Sequence, residues 1–214
     1  MRKILPYLRL VTSFALLASV VWQVSDRLIH NVFRPGEYFA YLTIQSSLIA
    51  AVILAVAGVR ELQGKADTKV LTLARLSTAS YAIIVGVVYN ALLRGTVVLP
   101  GDPDYGYNWP VAPNEILHVW GPLFIFLDFV LTITVTKLKF KQIFWVLLYP
   151  LAWLTFTVIR GLITDWWPYN FLNPNLGGGA VGVGIFVLEI MAFLLTSAVI
   201  SLSLNKLRSK SAKH

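Results

Sequence analysis

The sequence has no cysteine, 3 histidines, and charged side chains at only 13% of its 214 positions. The missing cysteine excludes disulfides, thiolate nucleophiles, zinc–thiolate sites and iron–sulfur clusters together, so any covalent chemistry falls to other side chains. Soluble domains carry roughly 25% charged residues because their surface faces water, and about half that share excludes an ordinary water-facing surface. No glycine-rich phosphate loop follows a strand. GGGAVGVG at 177–184 reads as a flexible turn and close helix packing, which argues against nucleotide binding. Internal repeats and low-complexity tracts are also missing, and with them the inverted halves of many transporters.

What is present is apolar: 57% of residues are hydrophobic and the mean hydropathy is +0.71. A helix needs about 20 apolar residues to cross the hydrocarbon core. Six runs meet that length, at about 5–24, 38–59, 70–93, 115–136, 143–163 and 180–204. They predict an all-α polytopic membrane protein, six transmembrane helices in one bundle over 1–204, followed by a basic tail at 205–214. Arg2 and Lys3 before the first run suggest a signal peptide. Its length of about 20 residues and the lack of a convincing small-x-small cleavage site read instead as a retained anchor.

The net charge of +8 resolves by position. Arg2, Lys3 and Arg9, then Arg60, Lys65 and Lys69, then Lys137, Lys139 and Lys141, then Lys206, Arg208, Lys210 and Lys213 fall in alternate connections. The other connections hold Arg27, Arg34 and Arg94, no lysine, and Asp26, Glu37, Asp102, Asp104 and Asp165. Lysine and arginine collect on the cytoplasmic side, which predicts cytoplasmic N- and C-termini in a plasma or bacterial inner membrane. The positive charge then orients the chain and meets anionic lipid headgroups, leaving none for nucleic acid. Trp109, Trp120, Trp166, Trp167, Tyr105, Tyr107 and Tyr169 suit the headgroup level.

Polar groups inside the spans are costly and each asks for a partner or a task. Thr43, Ser46, Ser47 and Ala50 share one helical face near the outer end of the second span. On pattern alone this face suits small-residue helix packing with hydroxyls bonded back to the preceding turn, and a site is the other reading. His118 lies near the outer end of the fourth span. At 1.5 Å per residue, Thr43 and His118 differ by roughly 3 Å in height, so they can meet across the bundle. A threonine hydroxyl beside a neutral imidazole is the minimum for nucleophilic acyl chemistry. Arg160 reaches the same level in the fifth span and either snorkels outward or clamps a carboxylate. Glu189 is a possible ion partner for it, while Arg75 and Asp128 lie at matching depth nearer the cytoplasm and form a structural pair. Glu115 and His118 sit at i, i+3, but a third ligand would have to come from elsewhere, such as His30, so neither metal nor cofactor is expected.

YLTIQSS at 41–47, LHVWGPLFIFLD at 117–128, and YPLAWLTFTVIRG with WWPYNFLNP at 149–174 resemble the androgen-induced membrane protein family and its bacterial six-span relatives. The resemblance covers spans two to six. It implies a threonine hydrolase of fatty acid esters of hydroxy fatty acids, with the family's threonine on Thr43 and its histidine on His118. Ser47 stands where bacterial relatives often have asparagine, and the order Trp167, Pro168, Tyr169, Asn170 differs from the animal form. The expected function is ester hydrolysis on a lipid-like substrate in an outer pocket. Arg160, Asn114, Ser47, Trp167 and Tyr169 are the expected substrate-binding residues. The alternatives are a non-catalytic lipid-binding, sensor or assembly protein, and a small transporter using Asp128, Glu189 and Arg75.

Overall fold

The computed structural model describes residues 4–96, 104–133, 136–176 and 178–211, so Arg2, Lys3, Asp102 and Lys213 lie outside the described residues. These residues are all-helical, without strands, and six helices are long and apolar enough to cross a membrane. They are α1 (Leu5–Ile29), α2 (Leu42–Leu62), α3 (Lys69–Leu93), α4 (Val111–Leu131), α5 (Phe140–Thr164) and α6 (Gly179–Lys210). Two helices differ from the expected bounds in ways that matter. The second helix begins at Leu42, because Pro35–Tyr38 forms a separate one-turn helix whose proline suits a helix start. The fourth begins at Val111 and stops at Leu131, where Thr132 turns extended.

The antiparallel alternation is visible in the side-chain bonds at one end of the bundle. Arg9 near the start of α1 donates from Nε to Asp128 Oδ1 of α4 at 2.7 Å and from Nη1 to Glu61 of α2 at 2.6 Å. Arg75 of α3 donates from Nη2 to the other oxygen of Asp128 at 2.6 Å and pairs with Asp67. The expected Arg75–Asp128 pair is therefore present, inside a larger network. Asn205 of α6 donates to the carbonyls of Phe129 and Thr132 at 2.7 and 2.9 Å, satisfying groups that the end of α4 leaves open. Lys206 lies 3.9 Å over the Phe140 ring at the start of α5. All six helices thus meet at this network end.

The core runs from this network through Leu16, Leu54, Ala79, Leu76 and Phe129 toward Leu117 and Tyr38 at the opposite end. Small residues let the backbones approach: a Cβ on Gly58 would lie 2.9 Å from the Pro6 carbonyl oxygen of α1. Half of the most apolar window of α2 is buried against 17% of that of α6, so α2 is central and α6 peripheral. At the opposite end, Arg27 holds both oxygens of Asp104 at 2.7 and 2.9 Å, Arg34 adds a third bond at 2.6 Å, and Tyr107 donates to Asp26 at 2.7 Å. Burial alone would raise the Asp104 carboxyl, but the bonds from Arg27 and Arg34 outweigh it and hold it below its ordinary value.

Asp128 is 3% exposed and faces two arginines that are each 2% exposed. Replacing it takes away the carboxylate that two buried arginines share and leaves each with one acidic partner that is more exposed, Glu61 or Asp67. Asp128→Ala is expected to cost about 3–5 kcal/mol, read as a lower melting temperature of the purified protein in detergent.

Candidate functional site

The end opposite the network begins with an uncapped helix. Tyr41, before α2, is extended and its side chain makes no cap bond, so Thr43 is the second residue of the helix and not five residues into it. The N–H groups of the first turn consequently have no partner within the helix. The Tyr169 hydroxyl faces them: it sits against the Thr43 hydroxyl and the N–H groups of Leu42 and Thr43. Burial pushes this phenol up to about 12 against the pull of those donors, so it stays neutral at physiological pH. Its ring is held by stacking on Phe171 at 5.0 Å and by edge or tilted contacts with Tyr41 and Trp153 at 5.8 and 6.1 Å. Trp153 is fixed in turn by a 2.9 Å bond from its Nε1 to the Ala40 carbonyl.

Thr43 and Tyr169 line a groove enclosing about 650 Å³, its open mouth included. Val88 and Leu93 of α3, Leu154 of α5, and Phe186, Ile190 and Met191 of α6 supply its walls. The side-chain polar atoms of the lining belong to Thr43, Tyr89, Trp153 and Tyr169, and all other lining residues are apolar. Pro150, also on the wall, cannot donate to the Val146 carbonyl, and the Tyr81 hydroxyl fills that place at 2.8 Å.

His118 stands behind Tyr89. It lies in a widened turn, Ile116–Trp120, because Pro122 has no N–H to give the His118 carbonyl and a Cβ on Gly121 would press within 2.7 Å of the Ile116 oxygen. Its Nδ1 bonds the Asn114 carbonyl at 2.8 Å; a carbonyl only accepts, so Nδ1 carries the proton and Nε2 the lone pair. The imidazole stacks on the Tyr89 ring at 4.0 Å, and Asn114 donates to the Tyr89 hydroxyl at 2.6 Å. Among the described residues no hydrogen bond joins Thr43 to His118. Tyr89 connects them: it lines the groove with Thr43 and stacks on His118. Ser47 faces a smaller cavity with Ser46, Thr78, Leu117 and Pro122 rather than the groove.

Arg160 does not line the groove. It lies two turns beyond Trp153 along α5, with its guanidinium 4.2 Å over the Trp166 ring. Among the described residues its Nη1 is buried without a hydrogen-bond partner, as are Thr157 Oγ1 and Trp167 Nε1 on the same segment. The expected pairing of Arg160 with Glu189 does not occur: Glu189 is exposed on α6 and forms no ion pair among the described residues. Helical depth alone placed the two residues near one another, but the azimuth of α6 turns the carboxyl outward. Tyr89, Trp153 and Phe186 were not singled out as site residues, because an aromatic at a span end reads as membrane-interface filler.

Comparison with known protein families, with characterised proteins and with solved structures returns no match for this chain.

The Trp167 ring lies flat on Gly161, where a Cβ would approach its carbons to 2.6 Å. Gly161→Ala is expected to displace the indole and cost about 1–3 kcal/mol, seen as a lower melting temperature together with a changed tryptophan emission spectrum.

Proposed function

We propose that this chain is an integral membrane hydrolase that cleaves an ester bond in a lipid-like substrate, with Thr43 as nucleophile and His118 as base at one remove, behind Tyr89. The observation that carries the reading is the groove at Thr43: an apolar channel whose side-chain hydroxyls sit at or beside the start of α2. Acyl chains suit the aliphatic walls, and an ester carbonyl suits the hydroxyl end. The groove lies between α3 and the lightly buried α6, which suits lateral access from the outer leaflet. The unpartnered Nη1 of Arg160 supports this side chain as the clamp for a carboxylate beyond the groove. Asn114 orients Tyr89 and His118, and Trp167 and Tyr169 form the rim. The resemblance to the androgen-induced membrane protein family supports the same chemistry.

Removing the nucleophile is expected to lower kcat/KM for a long-chain ester by about a thousandfold or more. Thr43→Ala purified in detergent is therefore expected to be nearly inactive, and His118→Ala strongly impaired. Rates equal to the parent's in both variants overturn the enzyme reading. A second reading, a lipid-binding protein without catalysis, is favoured by the absence of a Thr43–His118 bond among the described residues. It predicts acyl-chain binding with no turnover by the parent. A transporter finds less support, since Asp128 is held by two arginines and Glu189 faces out of the bundle.

We further propose that the network end, where the lysine-rich connections gather, is cytoplasmic, placing the groove on the outer side of the cell membrane. The cysteine-free chain makes this directly measurable. An impermeant maleimide is expected to label Tyr105→Cys in intact cells, and Lys65→Cys only after the membrane is opened.

A further inference from the structure

We infer that Tyr169 is the proton relay of the Thr43 site, taking the Thr43 proton as the ester is attacked and passing its own proton to the departing alcohol oxygen. This rests on the hydrolase reading above and changes which side chain touches the nucleophile.

Three observations meet at this tyrosine. The Tyr169 oxygen sits against the Thr43 hydroxyl and the Leu42 and Thr43 N–H groups on the wall of one groove, within reach of the Thr43 proton. Tyr169 belongs to the groove wall, where an ester held at Thr43 would lie, so its O–H is placed to reach the leaving oxygen. His118 is not on the groove wall: it stacks on Tyr89, which is, and among the described residues its hydrogen-bond partner is the Asn114 carbonyl. The hydroxyl is also firmly aimed, since its ring stacks on Phe171 within 5° of parallel, and Phe171 stacks on Phe186 of α6 at 4.3 Å.

The step balances without a free ion. Thr43 Oγ forms a bond to the carbonyl carbon, and the carbonyl π pair moves onto its oxygen and then returns as the bond to the leaving oxygen breaks. The Thr43 proton moves to Tyr169 Oη while the Tyr169 proton moves to the leaving oxygen, giving acyl-threonine, a free alcohol and a neutral phenol. Water repeats the exchange in the second half: its oxygen bonds the acyl carbon, one of its protons goes to Tyr169, and the phenolic proton goes back to Thr43 Oγ. A relay through a neutral group suits an apolar groove, where an isolated charge is strongly disfavoured. The N–H groups of the first turn of α2 stabilise the negative charge that builds on the tyrosine oxygen in transit.

The test compares two esters of one long-chain acid, an alkyl ester whose alkoxide must be protonated to leave and a p-nitrophenyl ester whose phenolate leaves unaided. Tyr169→Phe keeps the stacked ring and removes only the hydroxyl. It is expected to lose about a hundredfold or more in kcat on the alkyl ester and about tenfold or less on the p-nitrophenyl ester, the range of general acid catalysis. The parent is also expected to show a larger solvent deuterium isotope effect on kcat for the alkyl ester than for the p-nitrophenyl ester, a measurement that needs no variant to fold. Equal losses on both esters, or full activity of Tyr169→Phe while Thr43→Ala is inactive, overturn the relay and leave the hydrolase reading standing. A parent that hydrolyses neither ester, or a Thr43→Ala protein as active as the parent, overturns both.

Discussion

The carboxylate of Asp128, shared between Arg9 and Arg75, is the constraint on which the bundle depends. Both arginines and the aspartate are buried, and an isolated charge at that depth is far too costly to persist. Each therefore dictates where the others go. Arg9 brings α1 to α4 and, through Glu61, to α2; Arg75 brings α3 to the same carboxylate and, through Asp67, ties down the start of its own helix. Apolar faces in lipid slide past one another with little preference, because lipid tails are as apolar as leucine. The ion network sets the register that such faces leave open.

The opposite end is built by prolines and by incomplete helix ends. Pro122 and Pro150 each withhold an N–H, and the carbonyls they release mark a widened turn in one helix and a tyrosine contact in another. The break before Leu42 leaves the first turn of α2 without a cap, and a tyrosine from a distant connection turns toward it. The polar lining of the groove is thus a by-product of backbone groups that the helices cannot satisfy alone. Among the described residues, the groove at Thr43 and the imidazole of His118 are neighbours through Tyr89 rather than in contact.

The helical class and six apolar segments were legible in the sequence because lipid imposes one periodicity and one minimum length on every crossing. Arg75 and Asp128 were legible as a pair, since two opposite charges at one depth have few alternatives. Thr43, His118, Asn114 and Tyr169 were legible as polar residues near the lysine-free ends of the spans, and the structure gathers all four around Tyr89 and the start of α2. Arg9 was read only as an orienting charge, although it is among the most buried side chains. Its place at the start of the first run hid the fact that the run continues to Ile29 and carries it inside the bundle.

Composition and spacing determined by themselves that the described chain is helical, how many segments can cross a membrane, and which ends hold the lysines. Each of these depends on the chemistry of single residues against lipid or water and needs no knowledge of neighbours. Tertiary structure alone decided that Glu189 faces outward, that Ser47 turns to a second cavity, that Arg160 lies beyond the groove, and that Tyr169 rather than His118 reaches Thr43. Depth along a helix follows from counting residues. The direction a side chain faces depends on the helix's rotation about its axis, and that rotation is set by contacts with other helices far away in sequence.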